Sequence, residues 1–510
     1  MRARILAPEF RKWWTLWAVA FGLFMIMLDN TIVNVALPTI QRELHASPAN
    51  LEWIVNGYIV TFAALILLGG KLGDRFGRKR MFIVGLVLFT LFSALCALST
   101  SDTQLILFRC LQGTGAALMN PLSLSILVNA FPRPQVPIAI GVWAGISGLG
   151  IAIGPLIGGV LVEHYGWASV FWVNVPIGII AVGVCLWAVN ESRDTTSRSL
   201  DIVGTVLITA GLLSLTYGLI KTNSHSWTSP FILALLGSAV VLIGVWLWWE
   251  ARTTDPMVPL SFFRIRQFAA ANAVGVLVGV ALFGSLYFIT LYFQNIKGYS
   301  AQEAGVRSMP LTLVIMFVAP IAGRLNAKIG PRPLMTVGML LATGGMLGLT
   351  QLTPTSSYNA MWPFFLLLGA GISLTMPSLA GAAMSAVDPA KSGVASGVVN
   401  SARQVGGAIG IAVLGSVVAK LAADQFGRAP DAVQQLVVGG QTKLIGQLAG
   451  PAAEAKAADA FVHGMQGAMW VGAALTFAAA MVSLFGLRSG AAHAQAPAGQ
   501  QQQHQAAVEL

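Results

Sequence analysis

Long apolar runs alternate with short polar breaks along almost the whole chain. Fourteen of these runs are long enough, at about 1.5 Å of rise per residue, to cross a hydrocarbon core of about 30 Å. They fall at 13–37, 51–70, 82–99, 104–128, 137–161, 170–189, 201–220, 230–249, 268–293, 303–322, 334–351, 360–384, 392–419 and 462–487. Their length predicts membrane-spanning helices. The breaks are too short to hold a folded soluble domain.

One position interrupts this pattern early. Residues 13–28 carry no charge, then Asp29 appears and the apolar run resumes within LDNTIVNVALP, 28–38. A carboxylate at membrane depth costs about 2.5–3.5 kcal/mol on insertion scales, so it calls for a partner or a function.

Composition matters mainly for what it excludes. Charged residues make up 10% and apolar residues 56%, against roughly 25% charge in soluble domains. A net charge of +11 would suggest nucleic-acid binding in a soluble protein. Here, with Arg2, Arg4, Arg11 and Lys12 placed inside, roughly twenty Lys and Arg fall on inner segments, about eight outside and about two within spans. That bias places both termini in the cytoplasm and requires an even number of spans. Residues 1–36 are not read as a signal peptide, because the run is too long, carries Asp29 and lacks a small-residue cleavage site. Cys96, Cys110 and Cys185 lie inside spans without metal-ligand spacing, so neither a disulfide framework nor a metal site is expected.

With this orientation Asp29 lies roughly 24 Å along the first helix, about 6 Å from the outer edge. The fourth span starts outside and contains LFRCLQGTGAA, 107–117. Arg109 then lies roughly 7 Å below the same edge. Arg109, Gln112, Gly113 and Ala116 share one helical face. Opposite charges buried at one depth are expected to pair.

Several other stretches combine small and charged residues. The second span ends in GGKLGDRFGRKR, 69–80, where Gly70, Gly73 and Gly77 permit close approach and a tight turn. Arg75, Arg78, Lys79 and Arg80 anchor the inner surface, and Asp74 among them can bias which inner contacts close. The fifth span carries Gly141, Gly145, Gly150, Gly154 and Gly158, the spacing of tight helix packing, and Pro155 bends it. Trp53 and Tyr58 suit an interface, with a cavity-facing Tyr58 as an equal alternative. Asp201 is placed to cap the seventh helix. The twelfth span, with Pro377, is Gly-broken as in a moving or cavity-lining helix. In the thirteenth, Gly393, Gly397, Asn400, Gln404 and Gly407 form a stripe. Arg403 falls near mid-bilayer, about 18 Å in, and both a structural hydrogen bond and a place on the substrate path fit it.

Together these stretches resemble a known family. GKLGDRFGRK is similar to the cytoplasmic loop 2–3 signature of the major facilitator superfamily. LDNTIVNVALP resembles the first-helix motif of its fourteen-spanner drug:proton antiporter branch, the EmrB/QacA type. The Arg and Gln-Gly of the fourth span and GPLIGG at 154–159 resemble further motifs of the export families. WASVFWVNVPIG, 167–178, resembles the branch's loop into helix 6, with Ala168 where an Arg is usual. GRLNAKIGPR, 323–332, looks like a decayed copy of the loop signature in which Asn326 and Ala327 replace the acidic core.

The resemblance implies an all-α integral membrane protein of the major facilitator fold, with two six-helix bundles, 1–190 and 268–488, and two added helices in 191–267. A long outer connection, 420–461, would form amphipathic hairpin-like helices, and 489–510 a disordered tail. It assigns proton coupling to Asp29 and Arg109. It gives a conformational switch to Gly70, Asp74, Arg75, Gly77 and Arg78, with Asp74 approaching the N-terminus of the thirteenth helix. Antiporter packing goes to Gly150, Gly154, Pro155, Gly158 and Gly159. The expected substrate cavity is lined by Phe24, Asn34, Tyr58, Gln112, Trp143, Tyr287, Phe288, Asn400 and Arg403.

The expected function is proton-coupled efflux of hydrophobic or cationic drug-like compounds by alternating access in a bacterial inner membrane. Protons are the coupling ion, no cofactor or metal is expected, and the partners are a small-molecule substrate and the bilayer, not nucleic acid. A monomer is the expected transport unit, and a periplasmic adaptor with an outer-membrane channel is left open. Because Asp29 is the lone acid deep in a span, monocationic, neutral or amphiphilic cargo is favoured over dicationic. The rivals are an exporter of one metabolite or lipid and a peptide or nutrient symporter, whose ExxER signature is absent. A receptor or channel is a further class. An enzyme is disfavoured, since no Ser/His/Asp, metal or Walker constellation is visible.

Overall fold

The structure, a computed structural model, describes residues 8–46, 48–193, 201–222, 225, 227–254, 256–427 and 430–488. The expected disordered tail, the cationic Arg2 and Arg4, and most of the inner loop before Leu200 lie outside the described residues. No strand occurs among the described residues, and the chain is built from long helices. The first half holds α1 (Pro8–Glu43), α2 (Pro48–Phe76), α3 (Arg78–Ala97), α4 (Asp102–Ala130), α5 (Val136–Tyr165) and α6 (Asn174–Ala188). Two further helices follow, α7 (Ile202–Lys221) and α8 (Pro230–Glu250). The second half has α9 (Arg266–Ile296), α10 (Met309–Ile329), α11 (Pro331–Leu349), α12 (Trp362–Ser385), α13 (Ser392–Phe426) and α14 (Pro451–Gly486).

Thirteen of these helices are long and apolar enough to cross a membrane. The sequence pattern predicts fourteen, and α4 makes the difference. At 29 residues it does not lack length. It buries Arg109, Gln112, Asn120, Ser123 and Ser125 along its inward face, and this polarity sets it apart from its neighbours.

Within the first half, α4 packs against α2 and α3, while α1 packs against α4, α5 and α6. In the second half α11 and α10 both pack on α12, and α14 joins α9, α11 and α13. The halves meet along α5–α10 and α2–α13, and α7 lies against α2 and α13. The glycines of α5 explain how it serves two partners. A Cβ at Gly141 would fall 2.6 Å from the Ala319 carbonyl of α10, and one at Gly150 would fall 2.9 Å from the Phe24 carbonyl of α1. Close backbone approach of this kind is what small residues allow.

Two departures from regular geometry stand out. The span α9 contains π-helical segments at Gly279–Phe283 and Tyr292–Ile296. The connection after α13 forms two short helices, Asp431–Val438 and Thr442–Ala449, the second strongly amphipathic with Thr442 and Ile445 buried. Asp201 caps α7 by accepting the Gly204 amide at 2.8 Å, and it also accepts the Trp249 indole at 2.9 Å.

Candidate functional site

Asp29 sits in α1 with no exposed surface. Its carboxylate is held by three side chains from two other helices. Arg109 Nη1 donates to Oδ2 at 2.6 Å, Gln112 Nε2 donates to Oδ1 at 3.1 Å, and Asn174 Nδ2 donates to Oδ1 at 3.3 Å. The two charges that depth matching places at one level are therefore a direct ion pair.

Arg109 is itself tightly fixed. Its Nε donates to the Ile54 carbonyl at 3.0 Å, and Nη1 also reaches Gln112 Oε1 at 2.8 Å. Its guanidinium carbon lies 4.4 Å from the centre of the Tyr58 ring and 5.8 Å from that of Phe171. A cation over an aromatic face is attracted to its quadrupole, so Tyr58 supports the charge it covers. The Tyr58 hydroxyl has no hydrogen-bond partner among the described residues. Two charges removed from water cost several kcal/mol each, and the full set of donors is what makes this pair tolerable.

Asn174 and Ser93 escape sequence reasoning. Asn174 also donates to Ser93 Oγ at 3.1 Å, and Ser93 donates to the Phe171 carbonyl at 2.8 Å. Both are small polar residues in apolar runs, and the one available signal was that Asn174 sits inside the motif leading into α6.

A second charged cluster joins the halves where α2 ends and α13 begins. Asp74 Oδ1 accepts Arg78 Nη2 at 2.6 Å and Nε at 2.8 Å. The same carboxylate accepts the amides of Gly393 at 3.0 Å and Val394 at 2.8 Å, at the start of α13. An anion on the first amides of a 35-residue helix meets its positive end. Arg78 continues across to the carbonyls of Pro389 at 3.1 Å and Ala390 at 2.5 Å. Gly70 lets α2 come against the Gly393 carbonyl, where a side chain would collide. Ser125 and Ser392 add a hydrogen bond of 2.7 Å between α4 and α13.

The other expected switch residues play different parts. Gly77 has φ of 108°, which favours glycine, and begins the turn into α3. Arg75 forms no ion pair among the described residues, and its Nη1 is without a partner. Glu191, unassigned from sequence, accepts the amides of Lys79 at 3.0 Å and Arg80 at 3.2 Å and so ties the end of α6 to the start of α3. Towards the end of α10 stands Asn326, whose Oδ1 is buried without a partner among the described residues.

On α5, Gly150, Gly154 and Gly158 face α1 around Asp29, and Gly154 lies directly against Thr31. Gly159 instead faces Gln302, and Pro155 lies between them in the same helix.

The expected cavity residues do not share one environment. Tyr58 and Gln112, read from sequence as cargo contacts, belong to the ion-pair cluster and are fully buried. Phe288 is 2% exposed in the core, whereas Tyr287, in edge contact with it, is 39% exposed. Trp143 donates to Ser123 Oγ at 3.2 Å. Phe24 is half-buried, and Asn34 is exposed, bonded to the Asn30 carbonyl at 3.0 Å. Asn400 and Arg403 are joined, with Arg403 Nη2 donating to Asn400 Oδ1 at 3.0 Å.

An all-helical, multi-pass membrane protein with a buried ion pair in one half and a charged contact between halves has the build of a secondary transporter. The chain belongs to the Major Facilitator Superfamily, whose family model matches residues 19–411. It is 37% identical over 493 residues to the tetracenomycin C resistance and export protein of Streptomyces glaucescens, covering 93% of this chain and 91% of that one. It is 36% identical over 406 residues to the multidrug resistance protein Stp of Mycobacterium tuberculosis, covering 79% of this chain and 75% of that one. Among solved structures, the human organic anion transporter MFSD10 (TETRAN) superposes with a TM-score of 0.64 at 14% identity, over 92% of this chain and 99% of the other. At that identity the likeness is one of fold.

Proposed function

We propose that this protein is a proton-coupled exporter of drug-like molecules in a bacterial cytoplasmic membrane, of the fourteen-span antiporter type. In this reading α4 is the remaining span, both termini are cytoplasmic, α1–α6 and α9–α14 are the two moving halves, and α7 and α8 are the added pair. The observation that carries it is the Asp29–Arg109 pair, 2.6 Å apart and closed off from solvent. A lone carboxylate deep in a span, paired with one guanidinium, is the kind of intramembrane group that marks proton relays in transporters. The similarity to named resistance and export proteins supports the outward direction.

The mechanism follows from which groups touch which. With Asp74 and Arg78 bound to the start of α13, the inner ends of the halves are closed and access is to the outer side. A proton reaching Asp29 from outside removes its charge and weakens its hold on Arg109 and Gln112. The change is felt one turn along α1, where the glycine face of α5 packs, and α5 carries it to α10 in the other half. Opening inside then breaks the Asp74 contacts, releases the proton and admits cargo. Protons are the only co-reactant this cycle needs.

The test is flux of ethidium in proteoliposomes under an imposed pH gradient. Cargo should accumulate on the side from which protons leave, and reversing the gradient should reverse the movement. Movement of cargo and protons in the same direction would support the symporter reading, and binding without flux would support a receptor.

A further inference from the structure

A cation of α13 plays no part in the ion-pair cluster. Arg403 lies eleven residues into α13, about 17 Å along it. It is half-buried and joins no ion pair among the described residues. Its Nη2 donates to Asn400, and its Nε is buried without a partner among the described residues. The acids of the second half that are described, such as Glu303, Asp388, Asp424, Glu454 and Asp459, lie at span ends or in connections. Asp29 cannot serve Arg403, since Arg109, Gln112 and Asn174 already occupy its carboxylate. Arg403 therefore has no acid to neutralise it among the described residues.

The surroundings hold this guanidinium in a defined direction. Asn400 is 3% exposed and donates to the Ser396 carbonyl at 2.9 Å, which leaves its own carbonyl oxygen for Arg403. Beside this face α9 leaves α-helical geometry at Gly279–Phe283. Such π-segments often mark functional sites. A Cβ at Gly279 would lie 2.5 Å from the Arg403 carbonyl, and the Phe283 ring lies 3.4 Å from where a Cβ at Gly407, one turn beyond Arg403, would be. Phe283 is 44% exposed, so an apolar ring lies open beside this stretch of α13.

We propose that Arg403 recognises an acidic group on the cargo, a carboxylate or ionised phenol carried by an aromatic skeleton that rests against Phe283. A guanidinium offers a planar fork that matches such oxygens bidentately, and its weak hydration suits it to a buried contact. This rests on the exporter reading and revises one part of it. The sequence favours monocationic, neutral or amphiphilic cargo because Asp29 is the lone acid deep in a span, but Asp29 is spent on Arg109, and Arg403 is positive.

The test uses the full-length protein in proteoliposomes with 9-anthracenecarboxylate and its neutral amide, 9-anthracenecarboxamide. Wild type should move the carboxylate about tenfold faster than the amide, the scale of one charge-assisted hydrogen bond. Arg403→Gln should bring that ratio to about one, and Arg403→Lys should fall between. A ratio near one in wild type would overturn the inference. So would a ratio unchanged in Arg403→Gln while both fluxes and the melting temperature drop, because Arg403 would then only hold the helix in place. If Arg403→Gln does not fold, the wild-type ratio and Arg403→Lys decide. Gradient-driven movement of both probes without charge preference sinks this inference alone. Failure of the two probes and of ethidium to move sinks the exporter reading and this inference with it.

Discussion

Arg109 donates to Asp29 across 2.6 Å although 80 residues separate them, and neither side chain is more than 1% exposed. Each charge is acceptable in the interior only because the other is there. Removing one partner leaves the other as an uncompensated buried charge, which typically costs about 3–5 kcal/mol. Arg109→Gln should therefore destabilise the detergent-solubilised protein by about that amount in denaturant unfolding. The double variant with Asp29→Asn should recover most of the loss, because neither charge is then left alone. Additive losses would mean that the pair is not the unit.

The contact of Asp74 with the start of α13 makes a separate prediction. Four donors meet that one carboxylate, two from Arg78 and two from the backbone of the other half. Asp74→Ala should shift the balance between inner-closed and inner-open states by about tenfold, equivalent to about 1.4 kcal/mol. Spin labels at Phe76→Cys and Ser385→Cys, both exposed at inner ends, would report it as a second, longer distance. An unchanged distance distribution would show that the contact does not govern closure.

Glycines separate packing from mere flexibility. Gly154 on α5 lies against Thr31 of α1, two residues beyond Asp29, whereas a Cβ at Gly183 on α6 would meet nothing within 4 Å. Gly154→Val should cost about 1–3 kcal/mol by overpacking, and it should slow transport because α1 and α5 could no longer stay in register. Gly183→Ala should be neutral or stabilising by up to about 1 kcal/mol, as for alanine in a helix. Thermal unfolding and ethidium flux on both variants check the pair.

Much of this arrangement can be read from the residues. Apolar runs locate the long helices, and helical rise alone puts Asp29 and Arg109 at one depth. The approach of Asp74 to α13 is legible through the family resemblance, since nothing local in GKLGDRFGRK names its target. Other features stay hidden because they arise only when distant segments meet. Asn174 and Ser93 look like ordinary small polar residues until α6 brings Asn174 to Asp29 and α3 brings Ser93 to Asn174. Tyr58 and Gln112 read as cargo contacts because sequence shows their depth but not which way they turn, and both turn toward Arg109. The span count differs for a related reason. The polar face that gives α4 its chemistry also takes it out of the apolar set.

The most direct measurement is uphill cargo accumulation by Asp29→Asn in proteoliposomes, with a pH gradient across the membrane and ethidium as cargo. The account predicts that the variant equilibrates ethidium down its own gradient but cannot concentrate it, and that no cargo-dependent proton movement is seen. Accumulation to the wild-type ratio by the Asn variant, with protons still exchanged, would contradict it.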